Sequence, residues 1–264
     1  MSYIKTAAET KLILEGGKRM GEILDTVAGM IKPGVSAFEI DTAAERLIIA
    51  TGGEPAFKGY KARRGDTPFP STICFSRNEE LVHGIATKEK IIQTGDIISI
   101  DIGMRYPKGR GYFTDTALTV PVGPVDKKIQ KLLRVTRLAL EAGMAAAESG
   151  NTVADIGRAV EDYVKKQGPY GIVRDLVGHG VGHAVHEEPR VPNYYDKSLT
   201  SWVLQPGVVI AIEPMITLGT HEVDTADDGW TIVPTDRSWN AHFEHTIIVT
   251  KDGPVVATRR PSEV

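Results

Sequence analysis

One arrangement of helices and strands occurs twice along this chain of 264 residues. Each half has two helix-like segments followed by strand-like runs. Residues 93–101 match residues 205–213, so that Asp101 at the end of the first stretch corresponds to Glu213 at the end of the second. A repeat of this length indicates two related halves rather than a solenoid. We therefore expect the two acids to meet near the axis that relates the halves.

Further pairs of segments share residue types in the same order: Ser36 with Thr152, residues 81–84 with 177–180, and Asp115 with Glu244. Chance similarity between capped helices and glycine-led strands is the alternative explanation. Acids at matching positions in the strands favour a true repeat over chance. The repeat predicts a single domain over residues 1–264, with pseudo-symmetric halves near 1–123 and 124–264.

The spacing of apolar residues and the capping signals predict the order of elements. Helices are predicted over residues 6–31, 36–51, 126–149 and 152–167. Strands are predicted over residues 71–75, 81–84, 91–103, 112–120, 172–177, 208–216, 230–233 and 243–250. Residues 54–70 are expected to form a loop, and residues 104–111 a turn.

Composition excludes several classes of protein. The net charge of −3 gives no general attraction to nucleic acid or to anionic membranes. One cysteine, Cys74, allows no internal disulfide and favours a reducing compartment. The N-terminal residues lack a signal-peptide core, and no apolar run is long enough for a membrane span. The sequence predicts a cytoplasmic protein with no membrane partner and no sequence-specific nucleic-acid partner.

A histidine-rich segment and four acids are the candidate functional residues. Gly178–Glu188 contains His179, His183 and His186, three of the seven histidines. Four acids lie within or beside apolar, strand-like runs: Asp101, Asp115, Glu213 and Glu244. A carboxylate in such a run is costly unless a cation meets it. A metal ion is the simplest cation that all four could share.

The donor types restrict the kind of metal. Carboxylate oxygens with one imidazole suit Mn²⁺, Fe²⁺, Co²⁺ or Zn²⁺, and the absence of thiolates argues against a structural zinc site. Four clustered carboxylates could not all ionise without cations, whereas two divalent ions would neutralise them. Two metals about 3.5 to 4 Å apart occur in several hydrolases, including aminopeptidases.

Motifs over nearly the whole length resemble the type I methionine aminopeptidases. The matching stretches are Pro55–Tyr60, Asn78–Gly84, Ser99–Asp101, Thr114–Thr116, Gly178–Gly182, His186–Pro189, Ile212–Pro214, Asp228–Thr231 and Phe243–Thr246. The resemblance implies the pita-bread fold, a mixed α/β (α+β) architecture with two pseudo-two-fold halves and an antiparallel sheet covered by helices. It implies hydrolytic removal of the initiator methionine from nascent proteins and peptides, preferentially when the second residue is small.

The same resemblance implies roles for individual residues. Two divalent ions per chain would be held by Asp101, Asp115, His179, Glu213 and Glu244, with Asp115 and Glu244 bridging the ions. His83 would hydrogen-bond the scissile amide nitrogen, His186 would stabilise the oxyanion, and Glu213 would move a proton. The substrate would also contact Phe57, Tyr60, Phe69, Val185 and Trp230.

Several features depart from that family or suggest other functions. Val185 stands where a bulky aromatic residue is expected, and the segments between Tyr60 and Phe69 and between Asp101 and Asp115 are longer than usual. Residues 111–115 are closer to the related X-Pro peptidases, which are the alternative function. A non-catalytic member that binds protein or RNA is a third possibility, but such a protein should have lost metal ligands.

The remaining histidines receive no catalytic assignment. His183 and His245 are expected to be structural, and His221 is expected to lie in a loop. His242 stands where the family often has glutamine, and we assign it no role. Six basic residues in the two lengthened segments suggest weak contact with the ribosome by a monomeric enzyme: Lys61, Arg63, Arg64, Arg105, Lys108 and Arg110.

Overall fold

The computed structural model describes residues 3–61, 65 and 67–263. Arg63 and Arg64 of the predicted basic patch lie outside the described residues. The helices are α1 (Ala7–Ala28), α2 (Ala37–Ala50), α3 (Lys127–Ala146) and α4 (Val153–Gln167), with short 3-10 turns at Lys197–Leu199 and Pro261–Glu263.

The described strands are short apart from the hairpin that carries the first two acids. They are β1 (Glu54–Pro55), β2 (Ile73–Arg77), β3 (Ile97–Tyr106), β4 (Tyr112–Pro121), β5 (Gly171–Ile172), β6 (Gly178–Gly180), β7 (Glu187–Val191), β8 (Val209–Ile212), β9 (Met215–Thr217), β10 (Val223–Thr225), β11 (Ile232–Pro234), β12 (Asn240–His242), β13 (Glu244–Thr250) and β14 (Gly253–Val256).

The four predicted helices form close to their predicted limits, and side chains cap the first turns of α1, α2 and α4. The Ser36 hydroxyl accepts a hydrogen bond from the Glu39 amide, while the Glu39 carboxylate accepts one from the Ser36 amide at 2.8 Å. The Asp155 carboxylate accepts a bond from the Thr152 amide at 2.9 Å in the same way. Each capping residue also forms an isolated bridge, Ser36 to Ile91 and Thr152 to Val203. The repeat seen in the sequence is therefore a structural repeat.

The main sheet has its pseudo-symmetry axis between two central strands. Its strand order is β1-β3-β4-β13-β8-β6-β7, with β2 on β3 and β14 on β13. The central neighbours β4 and β13 belong to different halves, and each is flanked by its preceding partner, β3 or β8. The pairs within this order are antiparallel. This arrangement brings the acid-bearing strands of both halves side by side.

The helices cover one face of the sheet, which leaves the other face for the site. The largest core cluster joins side chains such as Leu24 of α1, Leu140 of α3 and Ile156 of α4 to Ile100 and Ile102 of β3. Because side chains alternate across a strand, Asp101 between those isoleucines points to the opposite face. No helix in the described part of the chain is both long and apolar enough to cross a bilayer.

Apart from shifted ends, three strand predictions differ from the structure. The strand predicted over residues 172–177 is reduced to β5, and residues 173–177 form no strand. Residues 81–84 form no named strand, because His83 has a φ of 58°, which an extended strand excludes. Only Val82 forms a bridge there, to Ile232. The strand predicted over 208–216 is split into β8 and β9 at Glu213-Pro214, since proline has no amide hydrogen to continue the ladder.

Candidate metal centre

Strand register brings the acids of both halves to one face. Asp101 of β3 and Glu244 of β13 are both register partners of Ala117 on β4. Asp115 lies two residues before Ala117 on the same strand, so its side chain is on that same face. On β8, Ala211 pairs with His179 of β6, and Glu213 follows two residues later. All five predicted ligands therefore face one another.

His179 lies close to two of the four acids. Its Nε2 atom is 3.5 Å from Oε1 of Glu213 and 3.9 Å from Oδ2 of Asp115. Asp115, His179 and Glu244 each offer one donor atom, all within 4.8 Å of one another. The Nδ1 atom of His179 lies 2.9 Å from the Gly180 carbonyl oxygen, which leaves Nε2 free for a ligand role.

The cluster is electrostatically unfavourable without a cation. Burial, followed by neighbouring carboxylates, raises the pKa values of Asp115, Glu213 and Glu244 well above their ordinary range. Burial raises the pKa of Asp101 to about 7. Burial also lowers the pKa of His179 to about 3. Within the described residues, Asp101 Oδ1, Asp115 Oδ1 and Glu244 Oε1 are buried without a hydrogen-bond partner.

These observations fit a divalent metal ion. Unpartnered buried oxygens and a neutral imidazole are acceptors that need a cation, and oxygen with nitrogen donors suit first-row divalent metals. The chemistry of the donor set thus agrees with the metal site predicted from the sequence.

A cavity of about 320 Å³ opens beside the cluster and has an apolar wall. That wall includes Phe57, Tyr60, Phe69, Cys74 and Trp230, and the rings of Phe69 and Trp230 meet edge to face at 5.2 Å. Val185 is buried in the same apolar cluster, against the lining side chains rather than on the wall. Cys74, whose register partner is Asp101, is both buried and part of the lining.

Two histidines outside the cluster also line the cavity. Burial lowers the pKa of His83 to about 4, so its imidazole is neutral at pH 7. His186 is exposed at the mouth, yet the protein atoms around its ring lower its pKa below the ordinary value. Its ring centroid lies 4.4 Å from that of His179, and its Nδ1 atom is 3.0 Å from the Tyr60 hydroxyl. From the sequence, Tyr60 was predicted only as part of the pocket wall, and its contact with His186 was not predicted.

His242 is the residue that sequence reasoning missed most clearly. Its Nε2 atom lies 3.6 Å from Oε2 of Glu213, in the cluster itself. The signal was present, because His242 and Glu244 are two residues apart and extended residues at that spacing share a face. His245, by contrast, contacts Thr258 and Glu263, as a structural histidine should. His183 pairs with Glu9, and His221 lies in an exposed bend.

Comparison with known proteins assigns the family. Residues 11–251 match the model of metallopeptidase family M24. The chain belongs to metallopeptidase family M24. It is 44% identical over 253 residues to the methionine aminopeptidase of Borreliella burgdorferi, with 96% of each chain covered. It is 42% identical over 251 residues to that of Aquifex aeolicus, covering 95% of this chain and 96% of the relative.

Solved structures of other peptidases share the fold. The methionine aminopeptidase of Thermotoga maritima superposes with a TM-score of 0.90 at 37% identity, covering 97% of this chain and 99% of that one. The prolidase of Pyrococcus horikoshii gives a TM-score of 0.74 at 25% identity, covering 97% of this chain and 63% of that one. The pita-bread fold and the resemblance to methionine aminopeptidases, both predicted from the sequence, are confirmed. The chain is a metallopeptidase of this M24 family.

Proposed function

We propose that this M24 metallopeptidase removes the N-terminal methionine from nascent proteins and peptides, preferentially when the second residue is small. The observation that carries the proposal is a cavity in which an apolar aromatic wall adjoins a cluster of carboxylates and histidine. A thioether packs favourably on aromatic edges, so the wall suits a methionine side chain. The identity of about 40% to methionine aminopeptidases supports the same activity.

The site is proposed to hold two divalent ions, with Co²⁺, Mn²⁺, Fe²⁺ or Zn²⁺ as candidates. Asp101, Asp115, His179, Glu213 and Glu244 would hold the ions. Bound ions supply Lewis acidity and lower the pKa of a water molecule. Four carboxylates are the support for two ions, since one divalent ion would leave two negative charges uncompensated in a buried site.

His83 and His186 would act on the substrate as neutral imidazoles. The Tyr60 hydroxyl donates to Nδ1 of His186 in the tautomer that keeps the proton on Nε2. His186 could then donate from Nε2 to the oxyanion that develops on the scissile carbonyl. His83, with a pKa of about 4, would hydrogen-bond the scissile amide nitrogen. Glu213, whose pKa is raised, would carry a proton towards the leaving amine.

Phe57, Phe69 and Trp230 would enclose the methionine side chain together with Tyr60 and the nearby Val185. The described residues are proposed to belong to a single catalytic domain formed by both halves, because ligands come from each half. We further propose a monomeric, cytoplasmic enzyme whose substrates are the N-termini of newly made chains. The single buried cysteine supports a reducing compartment.

A weak contact with the ribosome is also proposed, through the predicted basic patch without Arg105. Lys61, Lys108 and Arg110 are exposed. Arg105 instead pairs with Glu54 at 3.4 Å and covers the Phe113 ring, so it is engaged within the protein. Ribosomal RNA phosphates would be the partner, bound by charge rather than by sequence.

The function is tested with metal-reconstituted protein on two tripeptides, Met-Ala-Ser and Ala-Pro-Ala. We expect cleavage of Met-Ala-Ser with a much higher kcat/KM. Asp115→Asn should lose both bound metal and nearly all turnover while keeping its fold by circular dichroism. Comparable cleavage of Ala-Pro-Ala would favour an X-Pro peptidase, and near wild-type turnover by Asp115→Asn with saturating metal would contradict the two-metal site.

A further inference from the structure

The segment that carries His186 into the cavity is organised by one carboxylate. We call residues 181–187 the His186 loop. Oε1 of Glu187 accepts hydrogen bonds from the backbone amides of His183 and Ala184, the latter at 2.8 Å. The loop therefore closes on its own last residue, and His186 immediately precedes that residue. The Glu187 carboxylate thus fixes the backbone on the N-terminal side of His186.

A buried lysine from the start of the chain holds that carboxylate. Lys5 Nζ lies 2.7 Å from the other oxygen of Glu187, Oε2, and the Lys5 side chain is 1% exposed. Lysine is rarely buried so completely, because its charge loses its hydration. A methionine would fill the same space without that cost. The lysine is better explained by the geometry that it imposes on Glu187.

The loop is shaped to admit the lysine. Gly182 has a φ of 134°, and a Cβ atom at this position would lie 2.7 Å from Cε of Lys5. Only glycine combines this backbone angle with such close approach. The amide of Lys5 also donates to the Gly207 carbonyl at 2.8 Å, which anchors the lysine just before β8, the strand that leads to Glu213.

A second residue of the same segment holds the loop at its other end. Glu9 Oε1 lies 2.9 Å from Nε2 of His183 and accepts a hydrogen bond from the Tyr112 hydroxyl at 3.2 Å. Glu9 also completes the capping box of α1 with Thr6. Its position is thus fixed by the start of the helix. Lys5 and Glu9 contact the loop on both sides of the turn at Ala184.

We propose that Lys5 and Glu9 are positioning residues that hold the His186 loop so that the imidazole meets the substrate carbonyl. The inference rests on the proposed role of His186. Loss of either residue should therefore act through His186. It should lower kcat and leave KM nearly unchanged, because an oxyanion donor is needed mainly in the transition state.

The test is a double-mutant cycle on Met-Ala-Ser cleavage. Lys5→Met should lower kcat by roughly ten- to a hundredfold, the loss expected for a displacement near 1 Å, with little change in KM. In a His186→Ala background the same substitution should have little further effect, because residues that act through one group are not additive. Lys165→Met is the matched control, since Lys165 pairs with Glu161 on α4, away from the cavity, and should leave kcat unchanged.

Amide hydrogen exchange gives a second readout that does not depend on turnover. Exchange at His183 and Ala184 should accelerate in Lys5→Met, and not in Lys165→Met. Glu9→Gln keeps an acceptor for the helix cap, so it provides a milder variant if Lys5→Met folds poorly, and it should show the same two effects at smaller size.

Three results would overturn the inference. Unchanged kcat and unchanged exchange in both variants would remove the positioning role. Full additivity of Lys5→Met with His186→Ala would show that Lys5 does not act through His186. Wild-type kcat in His186→Ala alone would remove the proposed role of His186, and with it the catalytic part of the inference, whatever the exchange data show.

Discussion

Nε2 of His242 lies 3.6 Å from Oε2 of Glu213, while the other oxygen of the same carboxylate lies 3.5 Å from His179. His242 is 1% exposed, and neither of its ring nitrogens has a hydrogen-bond partner within the described residues. A movement of a few tenths of an ångström would bring its imidazole within hydrogen-bond distance of Glu213. The Glu213 carboxylate thus lies between His179, a predicted metal ligand, and His242, which can orient it.

We therefore expect His242→Leu to weaken metal binding. Replacing a residue that orients a metal ligand typically lowers the affinity for the metal by about 10- to 100-fold. His242→Gln keeps a donor and should retain most of the affinity. The measurement is competition for the metal against a chelating indicator, with His221→Leu in an exposed loop as control. Equal affinity in His242→Leu and wild type would show that His242 does not orient Glu213.

The fold was largely predictable because its signals are local. Capping boxes at Ser36 and Thr152 set the first residues of two helices. The repeat predicted that two related halves meet near a common axis. The errors arose where a single backbone feature interrupts an apolar run. Pro214 divides β8 from β9, and the left-handed conformation of His83 replaces a strand. On either side of His83, Gly84 bonds to Ser76, and Leu81 and Val82 bond to Ile232, contacts that the apolar pattern does not reveal.

The site was predictable where residue types are unusual for their setting. Buried acids in strands indicated a metal, and these acids converge in the structure. His242 was missed because it precedes the strand predicted over residues 243–250. Its closeness to Glu213 follows from the register of β12 beside β9, in which His242 pairs with Met215. The ion pair between Lys5 and Glu187 could not be predicted from the sequence either, because it joins residues 182 positions apart.

Selectivity for methionine should depend on residue 185. Val185 is 7% exposed and packs with Phe57, Phe69 and Cys74. A phenylalanine there would add a ring behind the cavity lining, which should narrow the cavity and raise the preference for Met over norleucine or phenylalanine analogues. The expected change corresponds to about 1 to 3 kcal/mol in the ratio of kcat/KM values.

Phe69→Ala is the opposing control for Val185→Phe, because it widens the same wall and should lower that ratio. Thermal unfolding must accompany the assay, since added volume in a packed cluster destabilises by about 1 to 3 kcal/mol. An unchanged ratio of kcat/KM values in a folded Val185→Phe variant would show that residue 185 does not control this selectivity.

The basic patch predicts salt-sensitive binding to ribosomes. Phosphate contacts weaken steeply with salt, whereas cleavage of a neutral tripeptide should not. A variant combining Arg63→Ser, Arg64→Ser and Lys108→Ser should lose ribosome affinity at low salt and keep tripeptide turnover. Sedimentation with ribosomes at two salt concentrations provides the measurement.

The matched control for the patch removes the same charge from another surface. Lys127, Lys128 and Lys166 are exposed on α3 and α4. Their combined replacement by serine should leave ribosome affinity unchanged. The patch is eliminated as a docking site if both triple variants bind ribosomes as wild type does.

The metal-free protein should lose stability as pH rises from 6.5 to about 8. Folding raises the pKa of Asp101 from 3.8 to about 7, and raises those of Asp115, Glu213 and Glu244 well above their ordinary values. In this window the unfolded carboxyls are ionised while the folded ones still hold protons. Raising the pH therefore favours the unfolded state, by about 1.4 kcal/mol for each unit of pH and each extra proton held.

The histidines oppose this effect near pH 6.5, and their opposition fades by about pH 7.5. Folding lowers the pKa of His83 to about 4, those of His179 and His242 to about 3, and those of His186 and His245 below their ordinary value, so the unfolded state holds extra protons on these rings only near and below pH 6.5. Chelator-treated protein should show a falling midpoint of urea unfolding between pH 6.5 and 8, with a smaller fall in Asp101→Asn. Saturating divalent metal should reverse the trend, because metal binds the deprotonated ligands. A metal-free midpoint that does not change with pH would mean that the carboxylates are compensated in some other way.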